Sequence, residues 1–275
     1  MSDNEPFFLI SAWTSRLRHF GTEKLGTKVH TRLLARKPLL HSGRKTRDNI
    51  EAWFKDLETH HALSAVSGTD PMFRAESSVR SHLYHPVSGP GKKLLVGWGG
   101  MANRLMMPIA NYLPLASKLG WDVLLLQPDR AKRYQEGVGR FGSSFEKTVI
   151  GLDSFIKKKG YGRLAVMGTS AGGIPALLSA ARLGADNCMV VGMGAPEDSG
   201  YVSGWEEIER IWSSRRPPKL HLTAGGDAVG DVAVAERCNR ILGGKTHIVV
   251  GQGHATVWPM LRSGQFVRWF EEGLE

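Results

Sequence analysis

A chain of 275 residues with 41% hydrophobic content can bury the core of one large α/β domain, with or without an appendage. Its longest apolar runs, such as residues 94–96 and 123–126, are far too short to cross a bilayer as a helix, which argues against a transmembrane span. The formal net charge of +10 admits anionic substrates, membrane surfaces and nucleic acid as partners. Charge does not choose among them.

The chain starts with acidic Asp3 and Glu5 where a secretory signal carries positive residues, and the apolar run at 7–10 is too brief for such a signal. The two cysteines, Cys188 and Cys238, fall inside predicted core elements, which fits buried thiols in a reducing compartment. The expected location is cytoplasmic. Residues 1–77 read as a basic, largely helical extension. Within it Ile10, Trp13, Leu17, Phe20, Val29, Leu33 and Leu34 recur at helical spacing beside Arg16, Lys24, Lys28, Arg32 and Arg36, with breaks near Gly21 and Gly26. Such a helix either docks its apolar face on the main domain or offers a peripheral contact to anionic lipid or a protein. A second helix is predicted over 48–57, followed by His60 and His61, which carry no assigned chemistry.

From about residue 78 the pattern changes. A strand over 78–85 and a turn-rich connector to Gly91 lead into alternating elements: strand 93–96, helix 103–119 interrupted near Pro108 and Pro114, and strand 122–127. Helix 144–158, strand 164–167, helix 171–183 and strand 188–191 follow. A polar insertion with one short helix occupies about 195–218. Strand 219–223, helix 232–242, strand 247–250 and a helix over 256–272 complete the series. Strands alternating with helices imply a mostly parallel central sheet with helices on both faces, and functional loops at the C-terminal strand ends.

Three of those loops carry reactive side chains. Ser170 follows one strand, Asp227 follows Thr223-Ala224-Gly225-Gly226, and His254 follows Val250-Gly251-Gln252-Gly253. A serine hydroxyl needs a base to become nucleophilic at neutral pH, histidine titrates in the right range, and a carboxylate fixes the histidine tautomer. Asp231, four residues past Asp227, reads either as a helix cap or as the acid, and Glu197 and Asp198 are further alternatives. The amide of Ala171, opening the helix after Ser170, is a candidate donor to an oxyanion.

Gly168-Thr169-Ser170-Ala171-Gly172, between a strand and a helix, resembles the nucleophile elbow of the α/β-hydrolase superfamily. The resemblance extends over residues 78–275 and implies that fold, with a short cap segment at about 195–218. The superfamily sets its acid after the penultimate strand and its histidine after the last, which implies Asp227 and His254. Leu95-Val96-Gly97-Trp98-Gly99-Gly100 resembles its oxyanion loop, implying the Trp98 amide as second donor with Gly99 as the near alternative; Val96 stands where family members commonly have histidine.

Tyr201, Trp205 and Trp212 of the cap segment, with Gly99, are the expected substrate-binding residues, although the aromatic residues also suit packing of the short helix. Arg130, Lys132, Arg133 and Arg140 form a basic loop that admits an anionic substrate. The chain is expected to be a serine hydrolase acting on a small-molecule ester or thioester through an acyl-serine intermediate. An acyltransferase with the same residues and a non-catalytic binding protein on a hydrolase scaffold are the alternatives. No metal, cofactor or specific nucleic acid is expected, since no metal-ligand spacing, phosphate loop or nucleic-acid signature is found.

Overall fold

The computed structural model describes residues 73–86, 89–101, 105–107, 109, 112–129, 132–214 and 216–275. The predicted helices over 10–36 and 48–57, and His60 and His61, lie outside the described residues.

Eight strands form one sheet: β1 (Phe73–Ser78), β2 (Ser81–Pro86), β3 (Lys93–Trp98), β4 (Trp121–Leu126), β5 (Arg163–Thr169), β6 (Asn187–Val191), β7 (Lys219–Gly225) and β8 (Lys245–Val249). Their order is β1-β2-β4-β3-β5-β6-β7-β8. β2 runs antiparallel to β4, and β3 to β8 are mutually parallel. The single strand predicted over 78–85 is therefore two strands. Val79 and Arg80 turn the chain between them, and Arg80 takes a φ of 58°.

The helices are α1 (Leu113–Lys118), α2 (Phe145–Lys159), α3 (Gly173–Leu183), α4 (Trp205–Trp212), α5 (Val229–Leu242), α6 (Val257–Arg262) and α7 (Gln265–Glu272). Of the helix predicted over 103–119, the described residues form α-helix in the last portion, α1. The one predicted over 256–272 is two, divided at Ser263 and Gly264. α2 shows how local chemistry sets bounds. Ser144 accepts the Lys147 amide at 3.2 Å, Glu146 sits at the positive end, Lys157 to Lys159 crowd the negative end, and Gly160 closes it in a left-handed conformation.

Residues β4 to β6 are buried almost throughout, as strands covered on both faces must be. Alternation then sorts their side chains. Val96, Trp98, Leu124, Leu126, Val166, Val190 and Leu222 join a core with α2, α3, α4 and α5. The opposite face meets Leu105 and α7: Leu105 lies against Gly97, and Met189 against Gly273. The functional consequence is simple. Six parallel strands deliver their C-terminal ends to one edge.

Candidate active site

β5 ends in a 3₁₀ turn, Ser170–Gly172, that runs directly into α3. Ser170 has a φ of 52°, a left-handed conformation unusual for a residue with a side chain. The flanking glycines are required by contact. A Cβ on Gly168 would lie 2.3 Å from Gly172 O and 2.5 Å from Ala176 Cβ, and one on Gly172 would lie 2.1 Å from Trp98 O. Strand and helix can cross this closely only because both positions lack a side chain. The Ser170 hydroxyl makes no hydrogen bond to a described residue and is half-buried.

His254 lies beyond β8, and its Nδ1 is 2.6 Å from Asp231 Oδ2. The distance is that of a charge-assisted bond. It is also where the structure departs from the expected acid. Asp227 is exposed, and its amide donates to Gln252 O at 2.9 Å, so it ties the β7 loop to the β8 loop. The physical reason lies in the preceding glycines: a Cβ on Gly225 would sit 2.0 Å from Gly253 O, so the chain leaves β7 pressed against the loop that carries His254. Asp227 emerges at the surface there. The first turn of α5, one helical step later, presents Asp231 instead. Asp231 does not cap that helix, whose N-cap is Ala228. Glu197 and Asp198 lie in a 3₁₀ turn after β6, where Asp198 O accepts from Arg133 Nη1 at 2.9 Å.

The bond to Asp231 raises the His254 pKa above the ordinary histidine value, partly opposed by desolvation. The carboxylate side chain is 16% exposed and the imidazole 49%. The carboxylate is sheltered while the imidazole stays open to the surface.

The loop after β3 also differs from expectation. Trp98 is the last residue of β3, in register with Leu126 on one side and Gly168 on the other, so its amide belongs to the sheet ladder. Gly99 donates its amide to Leu126 O at 2.9 Å and accepts the Tyr134 hydroxyl at 2.7 Å. Gly99 is therefore a turn residue fastened through both its amide and its carbonyl. Gly100 is the next residue, its amide donates to no described carbonyl, and a Cβ there would lie 3.2 Å from Ser170 Cβ. The helix expected from 171 begins at Gly173, and Ala171 is the middle residue of the 3₁₀ turn leading into it, where amides lack intrahelical acceptors.

The aromatic residues expected to bind substrate are occupied otherwise. Trp205 and Trp212 are buried in the core on α4. Tyr201 accepts the Tyr134 amide at 2.7 Å and packs on Phe145 with ring centroids 5.2 Å apart. Of the basic loop, Arg133 holds Asp198, Lys132 pairs with Glu136 at 2.5 Å, and Arg140 lies over the Phe141 and Phe155 rings. Of these, Arg133 reaches the cap segment, and Arg130 lies outside the described residues.

No protein-family model matches the chain, and no curated protein does. Solved structures do. A predicted CIB-like hydrolase from Thermoplasma acidophilum superposes with a TM-score of 0.53 at 18% identity, over 73% of this chain and 96% of that one. A dienelactone hydrolase from Anabaena variabilis gives 0.53 at 14%, over 74% and 100%. An α/β-hydrolase enzyme from the metagenome of sediments of the lagoon of Mar Chica, Morocco, gives 0.50 at 18%, over 72% and 98%. With its parallel sheet, its elbow at Ser170 and these likenesses, the chain has the α/β-hydrolase fold.

Proposed function

We propose that the protein is a serine hydrolase that cleaves a carboxylic ester or thioester through an acyl-serine intermediate. The observation that carries this reading is the presence, in loops at the C-terminal ends of one parallel sheet, of a left-handed serine at a strand-to-helix turn and of a histidine held at 2.6 Å by a sheltered carboxylate.

In this reading Ser170 Oγ attacks the substrate carbonyl carbon while His254 Nε2 takes the hydroxyl proton. Asp231 accepts from Nδ1–H, which fixes the tautomer and stabilises the imidazolium. The carbonyl electron pair moves to oxygen, and the amides of Ala171 and Gly100 are the donors for that charge. Collapse of the tetrahedral intermediate breaks the bond to the leaving oxygen or sulfur, which takes the proton from Nε2. Water then repeats the sequence on the acyl-serine, releasing the acid and restoring Ser170. The 49% exposure of the His254 side chain leaves it open to solvent water.

The Ser170 hydroxyl is left for the base, and the reading requires His254 Nε2 to come within hydrogen-bond reach of it in the substrate complex. The test is a panel of short and long acyl p-nitrophenyl esters and acyl thioesters, run on the intact protein and on His254→Ala. Turnover of at least one class, lost in the variant, supports the reading. No turnover of any class, or turnover undiminished by the variant, contradicts it.

A further inference from the structure

Gly192 follows β6, and a Cβ built on it would lie 2.9 Å from Met106 Cε, 3.1 Å from His254 O and 3.2 Å from Asp231 Oδ2. Groups from two loops and the first turn of α5 therefore meet over one backbone position. Met106 reaches it from a segment fixed on both sides. Leu105 and Met107 are buried, and Leu105 Cδ1 lies 2.9 Å from where a Cβ on Gly97 would stand. The Tyr112 hydroxyl donates to Leu105 O, and its ring is held edge-on by Phe266 and Phe270 at 5.3 and 5.6 Å. Between these anchors Met106 takes a φ of 61°, a disfavoured conformation that turns it out of the line of its buried neighbours.

We propose that Met106 is a positioning residue for Asp231 and His254, its thioether covering Gly192 beside Asp231 Oδ2 and keeping that oxygen committed to His254 Nδ1. A carboxylate oxygen accepts several donors, and any water or side-chain N–H reaching Oδ2 competes with the imidazole. A thioether has no proton to donate. It excludes water from the acid without replacing it, and a drier surrounding strengthens the remaining bond. This matches the contrast in exposure, 16% for the Asp231 side chain against 49% for His254. Asp231 is the charged group acting on His254, so whatever loosens it acts directly on the imidazole.

The consequence for turnover rests on the hydrolase reading; the effect on the imidazole does not. The experiment is an NMR titration of the His254 ring in the full chain, comparing the native protein with Met106→Gln, Met106→Leu, Met106→Ala and Asp231→Asn. Gln keeps the length and adds an amide donor, Leu keeps an apolar cover, and Ala admits water. Met106→Gln and Met106→Ala are expected to lower the His254 pKa toward that of Asp231→Asn, by on the order of half a unit or more, and Met106→Leu to restore it. The acid limb of kcat/KM is expected to move with it. Absence of turnover in every protein, with this order of titrations intact, sinks the hydrolase reading and leaves the positioning role standing. An unchanged His254 pKa in both Gln and Ala variants, or a Leu variant shifted as far as Gln, overturns it.

Discussion

Asp231 Oδ2 and His254 Nδ1 are 2.6 Å apart, with the acid in the first turn of α5 and the base in the loop after β8. The helix start, and not the strand end, supplies the carboxylate. Asp231→Asn is expected to reduce kcat by on the order of 1,000-fold or more, because the amide no longer selects the working tautomer. Asp227→Asn, which leaves the backbone bond to Gln252 O in place, is expected to stay within a few-fold of native. Steady-state kinetics on the two variants distinguishes the acids.

The same pair sets the pH dependence. His254 must be neutral to act as a base, and its bond to Asp231 raises its pKa above the ordinary value. The rate constant kcat/KM is therefore expected to fall as pH drops through that raised pKa, and Asp231→Asn to move the fall to lower pH. The sign for stability is opposite. A histidine with a raised folded pKa contributes fully below its unfolded value near 6.5 and loses the contribution as pH rises through the folded one. A pH series of chemical unfolding on native protein and His254→Ala measures this.

Gly172→Ala tests the elbow as a packing constraint. The added methyl would stand 2.1 Å from Trp98 O, a backbone atom of a central strand with nowhere to move. A loss of stability on the order of 3 kcal/mol is expected in urea unfolding, with an unchanged m-value.

Trp205 and Trp212 are expected to matter to folding and not to acyl choice. Each is buried in the core on α4, so truncation to alanine leaves a cavity costing about 3–5 kcal/mol. The ratio of rates on short and long acyl esters is expected to remain native in whichever variant folds. A changed ratio with native stability would return these rings to the substrate site.

At the opposite end of the sheet, Asp122 is buried and accepts the Gly91 amide at 3.0 Å and the Tyr161 hydroxyl at 2.8 Å. Burial raises its pKa while these bonds oppose the rise. Tyr161→Phe is expected to raise it further and to cost about 1–3 kcal/mol, read by thermal unfolding at pH 7.

Alternation of strand and helix was legible because β4 to β6 are continuous apolar runs and their connections are short. Ser170 was legible because a strand ending in Gly-x-Ser-x-Gly and opening a helix has few other physical readings. The carboxylate that bonds to His254 was not, since Asp227 and Asp231 both follow β7 within six residues, and the choice depends on how Gly225 presses on Gly253 in three dimensions. The loop after β3 was hard to place for a related reason: the strand runs two residues beyond its apolar run, to Trp98, so the backbone beside Ser170 is that of Gly100. Met106 had no signal at all. Its proposed role follows from a left-handed φ and from the meeting of two loops with the start of α5 at Gly192, which no spacing along the chain encodes. The cap aromatics showed helical spacing that serves core packing and pocket lining alike, and only their burial separates the two.

The most direct test of the nucleophile is covalent labelling. Intact protein treated with a fluorophosphonate is expected to gain one adduct, which peptide mass spectrometry locates on Ser170, and Ser170→Ala is expected to gain none. An adduct on another residue, persistence of labelling in Ser170→Ala, or a native protein that turns over esters without ever labelling contradicts Ser170 as the nucleophile.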